Sequence, residues 1–173
     1  MTLRDYFVSL ADYHVWATRR LLDEHLASLS DDEWRRDAGL FFHSVHGTGN
    51  HLLVGDESWW ARFAENRSLR IALDAEWHTD RAALCDALGK AVTRWGAWIA
   101  TLDAARFNGE LTYTRNNGQT VRVPFAPALG HVFNHATHHR AQITAALTAF
   151  GRPCPEIDWS YKLQQEMPQG TRA

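Results

Sequence analysis

Three histidines are the residues best suited to chemistry in this chain: His51, and the pair His135 and His139 inside the string HATHHRAQ. Two histidines four positions apart on a helix project from the same face. A third histidine from another helix would complete three of the four ligands of a tetrahedral metal site. The spacing therefore predicts a helical metal site that keeps one coordination position open.

The orientation of the histidine-rich helix can be predicted from its apolar stripe. That stripe is formed by Val132, Ala136, Ile143, Ala146, Leu147 and Phe150. His135 and His139 lie within about 60° of its centre and should point inward, whereas His131 and His138 lie about 100° or more away and should face a flank or solvent. Two inward imidazoles could instead be hydrogen-bonded core residues, but a shared cation satisfies both nitrogens together.

His51 lies on the second long helix, about 110° from the centre of its main apolar stripe, so it should face a second neighbouring helix. Asp56 lies nearer the apolar side of this helix. Its carboxylate could accept a proton from a ligand histidine and so orient it. A buried ion pair with an arginine is the equal alternative for Asp56. His43 and His46, in the same region, are predicted to face solvent.

Composition argues for one domain, residues 1–173, and against a nucleic-acid or membrane partner. The chain has 45% hydrophobic residues, and 18 Lys plus Arg stand against 20 Asp plus Glu, a net charge of -2. That balance supplies no general attraction to polyanions. Cys85 and Cys154 lack metal-ligand spacing, which favours reduced thiols. With no apolar run of about 18 residues and no export signal, a cytoplasmic protein is expected.

Hydrophobic periodicity predicts an all-α fold with one small β-hairpin. Four long helices are expected over residues 2–27, 43–63 and 79–102, and from Pro124 or Pro127 to Phe150. Alternating apolar residues over 110–123, around a tight turn at 116–118, predict a hairpin between the third and fourth long helices. Short helical segments are expected at Trp34, behind a Ser30 capping box, and after Asp158. Residues 66–77 are predicted to form a loop or a short turn.

Three segments together resemble the DinB (damage-inducible) family, within the DinB/YfiT-like superfamily that is associated with metalloenzymes. They are YHVWAT at 13–18, the run from Phe41 through Trp59 and Trp60 to Phe63, and FNHATHHRAQ at 133–142. The resemblance implies a four-helix bundle, commonly paired as a homodimer. It also implies that a divalent ion at the edge of the bundle is held by His51, His135 and His139.

Two further residues are candidates for the pocket. His14 stands where the resemblance leads us to expect asparagine, on the core side of the first helix. It could line the pocket, hydrogen-bond behind the ligands or act as a fourth ligand, and the alternative is a buried histidine bonded to a backbone carbonyl. Trp59 lies two turns past His51 and could border the pocket. The eight tryptophans are otherwise predicted to serve packing.

The chemistry that follows depends on the open position. Three neutral histidines bind a dication without cancelling its charge, and zinc and nickel suit an all-imidazole set. Such an ion lowers the pKa of a bound water or thiol. Relatives in the wider superfamily are metal-dependent transferases or isomerases that use low-molecular-weight thiols. The resemblance therefore implies thiol-dependent transferase chemistry, or isomerase or hydrolase chemistry, on a small-molecule substrate.

Two other classes of function stay open at this point. A metal-stabilised stress-response binding module without turnover is favoured by the lack of a glutamate base beside the histidine pair, which other helical zinc motifs carry. A DNA-interacting damage protein is suggested only by the name of the family, and the net negative charge opposes it. Arg140 and Gln142, just after the second ligand, are expected to stabilise the helix or a dimer.

Overall fold

Long helices dominate the protein, for which a computed structural model describes residues 1–168. The four long helices are α1 (Leu3–Arg20), α3 (Val45–Ala64), α4 (Arg81–Thr101) and α5 (Phe125–Ala149). Two short helices are α2 (Asp31–Arg35) and α6 (Trp159–Glu166), and an antiparallel hairpin of β1 (Glu110–Thr114) and β2 (Thr120–Pro124) lies between α4 and α5. The predicted all-α class with a small hairpin is confirmed.

Short polar side chains begin most of these helices. Thr2 and Ser30 form capping boxes with Asp5 and Glu33, in which each cap hydroxyl accepts a backbone N–H and the acidic side chain accepts the cap's own N–H. This exchange satisfies amides that have no partner inside the helix. The Ser30 capping box was predicted, and it begins α2, which buries Trp34.

The first helix changes its winding near its end. After Arg20 the chain continues through a π-helical turn at Leu21–His25 and a 3₁₀ turn at Leu26–Ser28. The predicted end near residue 27 is therefore correct for the helical segment as a whole. Periodicity did not reveal the wider turn, which keeps Leu21 and Leu26 buried despite the change of winding.

Each long helix packs against two others: α1 and α3 both contact α4 and α5. Two clusters of buried side chains fill the space between them, one around Trp34 and the other around Trp95. Both tryptophans are almost fully buried, as the packing interpretation predicted, whereas Trp77 is 40% exposed. No helix in residues 1–168 combines the length and hydrophobicity that crossing a bilayer requires.

The hairpin and the loop between α3 and α4 form one unit. The predicted turn is present, with Gly118 at a φ of 84°, a conformation that glycine adopts at little cost. The backbone N–H of Thr114 donates to Oγ of Ser68 at 3.0 Å, and the side-chain amide of Asn116 donates to the carbonyl of Ile71. The hairpin is thereby fixed against the loop at residues 66–80.

Candidate metal centre

The start of α3 shapes one side of the histidine site. Ser44 caps the helix by accepting the backbone N–H of Gly47 at 3.0 Å. A Cβ at Gly47 would lie 2.2 Å from the carbonyl oxygen of Phe42, so only glycine fits there. The ring of Phe42 stacks on His51, with centroids 3.8 Å apart and planes 18° apart. Phe42 therefore covers one face of that imidazole.

One ring nitrogen of His51 is hydrogen-bonded to the backbone, and the other carries a lone pair that can bind a metal ion. Its Nδ1 lies 2.7 Å from the carbonyl oxygen of Leu73, in the loop after α3. A carbonyl can only accept, so the Nδ1 proton donates and Nε2 carries the lone pair. That Nε2 lies 3.0 Å from Nε2 of His135. The loop thus sets the tautomer of His51 and directs its lone pair toward α5.

His135 and His139 complete the cluster from α5. Their ring centroids lie 4.4 Å apart, and His139 lies at the same distance from His51. Nδ1 of His139 is 2.8 Å from Oε1 of Gln142, which accepts its proton and leaves Nε2 free. One nitrogen from each ring lies within 4.8 Å of the others. His131 and His138 are exposed on the same helix, so their predicted orientations are confirmed.

Burial keeps all three imidazoles neutral. Burial, together with the neighbouring histidines, lowers the pKa of His135 to about 3. It lowers the pKa of His139 to about 4, although the hydrogen bond to Gln142 opposes this. The pKa of His51 is also lowered by burial, against the opposing hydrogen bond to Leu73. Neutral imidazole is the form that binds metal, so the cluster is in its ligating state at pH 7.

The donor set fits a divalent ion. In a tetrahedral zinc site with Zn–N bonds of about 2.0–2.1 Å, neighbouring nitrogens lie about 3.3 Å apart. The 3.0 Å between the two Nε2 atoms of His51 and His135 is close to that separation. Since Nε2 of His51 bears no proton, only a proton or a cation between the two atoms makes this approach favourable. The cluster could therefore hold a metal ion.

Gly55 makes room for His135. A Cβ at position 55 would lie 3.0 Å from Cε1 and 3.4 Å from Nδ1 of that imidazole. We expect Gly55→Ala to displace the ring and weaken metal affinity about 10-fold, as loss of a ligand's supporting contacts does. Competition against a chromogenic chelator measures this.

A second glycine gives the matched control for that variant. Gly96 lies inside α4, where a Cβ would meet only Ala11 at an ordinary 3.9 Å. Both substitutions place alanine in a helix, which by propensity alone stabilises it by about 1 kcal/mol. Gly96→Ala should therefore keep its metal affinity, and equal affinities in the two variants would contradict the proposed role of Gly55.

His14 takes part in a buried chain of hydrogen bonds beside the cluster. Nη1 of Arg140 donates to Nδ1 of His14 at 2.9 Å, so the imidazole proton lies on Nε2 and donates to Oδ2 of Asp56 at 3.2 Å. Burial lowers the pKa of His14, and the bond to Asp56 opposes this, so the ring is neutral. Both nitrogens of His14 thus have side-chain partners, and neither is bonded to a backbone carbonyl.

Asp56 is the acceptor at the centre of that chain. Besides His14 it accepts Nε1–H of Trp95 at 3.0 Å and Nη2–H of Arg94 at 3.2 Å. The ion pair with an arginine, one of the two alternatives from the sequence, is therefore present, and the histidine that Asp56 binds is His14. A cavity of about 10 Å³ is lined by His14 and Asp56 of this network and by His135 of the cluster.

An open cleft of about 420 Å³ adjoins the cluster on the side of the hairpin. His51 and His135 form part of its wall, and Trp59 lies in the same wall, where the sequence suggested that it could border a pocket. The ring of Trp59 contacts Tyr113 and His131, with centroids 5.4 and 5.1 Å away. A cleft of this volume can admit a small molecule next to the histidines.

One sequence prediction fails near the site. His43 is exposed as predicted, but His46 is buried, and its prediction was wrong. Its Nδ1 accepts Nε1–H of Trp34 at 3.0 Å, and its Nε2 lies 2.6 Å from Oε1 of Glu76. Glu76 belongs to the loop after α3, and helix periodicity carries no information on where that loop folds. The carbonyl of Leu73 was missed for the same reason.

The fold and the cluster define a class: a helical protein whose helices α3 and α5 bring three neutral histidines together. The model of the DinB family matches residues 5–171, so the chain belongs to the DinB family. It is similar to Protein DinB of Bacillus subtilis (strain 168), with 22% identity over 165 residues that cover 93% of this chain and 95% of the relative. Comparison with solved structures gave no match.

Proposed function

We propose that this protein binds a divalent ion, zinc or nickel, through His51, His135 and His139. We further propose that it is a metal-dependent enzyme that transfers a low-molecular-weight thiol to an electrophilic small molecule. The observation that carries the proposal is the convergence of three neutral imidazoles, two of which, His51 and His135, line an open cleft. When bound, the ion would supply Lewis acidity that lowers the pKa of a thiol entering the open position.

Residues around the cluster orient the imidazoles and cover one side of the site. Leu73 and Gln142 fix two of the imidazoles by accepting their Nδ1 protons, and Phe42 covers one side of the site. The thiol loses its proton to solvent, and its sulfur forms a bond to the electrophilic carbon. The leaving group departs with the electron pair of the bond that breaks. No protein group needs to change its covalent state.

The lining of the cleft favours a thiol over water as the nucleophile. Hydrolysis at helical zinc sites commonly relies on a carboxylate base near the metal ligands. No aspartate or glutamate lines the cleft in the part of the chain that the structure describes. A thiol is acidic enough for the ion alone to deprotonate it near pH 7. The same observation supports the alternative, a metal-stabilised binding module without turnover.

Activity measurements separate these two functions. Elemental analysis of the purified protein identifies the metal, and conjugation of chlorodinitrobenzene and other electrophiles with bacterial thiols is then followed. We expect turnover that chelation abolishes and added zinc or nickel restores. His138→Ala, which alters an exposed neighbour of the cluster, should stay active. Metal at full stoichiometry with no turnover across a broad panel would instead favour the binding module.

The resemblance also supports a homodimer, and the spacing of Cys85 and Cys154, which favours reduced thiols, supports a cytoplasmic location; we include both in the proposal. Sedimentation equilibrium of the metal-loaded protein tests the dimer directly. A monomer at all concentrations would contradict it without affecting the metal site, because all three candidate ligands come from one chain.

A further inference from the structure

Arg62 is a half-buried cation that has no anionic partner within residues 1–168. Its guanidinium lies against two aromatic rings that meet edge to face, 4.5 Å from the centroid of Trp59 and 4.5 Å from that of Tyr113. Its Nε is buried and has no hydrogen-bond partner in the part of the chain that the structure describes. Among the described residues its side chain forms no ion pair, whereas Arg94 and Arg152 pair with glutamates. A partly desolvated charge of this kind is stabilised by an anion.

A second arginine lies in the same cleft. Arg115, at the turn of the hairpin, lines the cleft with Arg62, and its side chain has no anionic partner in residues 1–168 either. Burial lowers the pKa of Arg62, and the charge of Arg115 lowers it further, although Tyr113 opposes this. The charge of Arg62 also helps burial to lower the pKa of His131, another residue of the lining. Two unneutralised cations thus share one concave surface, and no carboxylate among the described residues lines it.

The position of these arginines relates them to the histidine cluster. The wall of the same cleft contains His51 and His135, so a molecule bound at Arg62 lies beside the cluster. The planar guanidinium fork matches a carboxylate or a phosphate, and contacts with the rings of Trp59 and Tyr113 restrict where Arg62 can lie. The cleft of about 420 Å³ is of the size that small ligands occupy.

We propose that Arg62 and Arg115 form an oxyanion-binding subsite, so that the substrate is a small molecule whose carboxylate or phosphate group binds there. This inference deepens the proposed function and rests on it for the other end of the substrate, a thiol directed at the histidine cluster. The anion-binding step itself needs no metal. It therefore can be tested separately from the proposed chemistry.

The test is a titration of metal-free protein with succinate, followed by calorimetry and by tryptophan fluorescence, because Trp59 lines the cleft. We expect Arg62→Gln to weaken succinate binding about 10- to 100-fold, the range for loss of a charged hydrogen-bonded pair. Arg62→Lys keeps the charge and the stem but lacks the fork, so it should fall between glutamine and wild type. Arg115→Gln should show a smaller loss because its side chain is exposed.

Arg20 supplies the matched control. Its guanidinium also lies near two rings, 5.4 Å from the centroid of Trp16 and 5.5 Å from that of Tyr161, but outside the cleft. Arg20→Gln should bind succinate as the wild type does. Failure of wild type to bind succinate and phosphate, or equal binding by Arg62→Gln and Arg20→Gln, would overturn the subsite. Denaturation curves verify that both variants are folded.

Two additional arms identify the anion and separate this proposal from the proposed function. Inorganic phosphate is titrated beside succinate, and the tighter probe names the group that the subsite prefers. Mercaptosuccinate is then compared with 2-mercaptoethanol on metal-loaded protein, where tighter binding of the former is expected. Succinate binding that depends on Arg62, without any effect of metal on thiol binding, would support the subsite while contradicting the thiol chemistry.

Discussion

Replacing His139 with alanine is expected to lower affinity for the divalent ion by at least about 100-fold. Loss of residues that only support a ligand costs about 10- to 100-fold, so loss of a ligand should reach the upper end of that range or exceed it. The remaining pair, His51 and His135, can supply only two nitrogens. Competition with a chromogenic chelator measures the affinity, and elemental analysis measures the stoichiometry.

The fold should survive that substitution. His139 is buried, but the core consists mainly of two apolar clusters, around Trp34 and Trp95, to which none of the three candidate ligands belongs. Far-UV circular dichroism should therefore show nearly unchanged helix content. His138→Ala is the matched control, since it alters the preceding, exposed histidine on the same helix. Full metal stoichiometry at unchanged affinity in His139→Ala would show that the ligand assignment is wrong.

Replacing Asp56 with alanine is expected to cost about 3–5 kcal/mol of unfolding free energy. The range is that for breaking a buried pair by removing one partner. Asp56 is the acceptor for His14 and Trp95, and through His14 it lies near the buried guanidinium of Arg140. In the variant, Arg94 would still form its ion pair with Glu57, at 2.9 Å. The lost free energy therefore arises mainly at His14, Trp95 and Arg140. Urea denaturation measures the change.

Two companion variants identify the cause of that loss. Asp56→Asn keeps one oxygen acceptor but removes the charge, so its cost should be intermediate. Asp86→Ala breaks an exposed pair with Lys90 on α4, and such pairs contribute at most about 1 kcal/mol. If Asp56→Ala were no more destabilising than Asp86→Ala, the buried network would not contribute to stability as described.

The sequence was most informative where a regular helix positions the side chain. The angular separation of His135 and His139 from His131 and His138 follows from helix geometry alone, and the burial of the four residues agrees with it. The same reasoning placed His51 off its main stripe, toward another helix, and its Nε2 indeed approaches α5. Hydrophobic periodicity was sufficient to predict these orientations, because the apolar stripe of a helix marks the face that packs against its neighbours.

The sequence was least informative where a loop supplies the partner. Leu73 fixes the tautomer of His51 and Glu76 binds His46, yet both lie in a segment without periodicity. The hydrogen bond from His14 to Asp56 joins residues 42 positions apart on different helices. Its partners can be recognised only when the packing of α1 against the bundle is known. The environment of Arg62 likewise depends on the packing of the hairpin, which brings the ring of Tyr113 against its guanidinium.

The hairpin and the loop at 66–80 differ in role from the helices that carry the three histidines. Helices α3 and α5 supply the three imidazoles, whereas Tyr113 and Arg115 of the hairpin and Ile71 of the loop enclose the neighbouring cleft. Hydrogen bonds at Ser68 and Asn116 join the hairpin to the loop. Loops and hairpin turns accept insertions and substitutions more readily than packed helices do. Substitutions in the loop and the hairpin turn that leave the Leu73 carbonyl in place can therefore change which ligands the cleft admits, while the three imidazoles keep their positions.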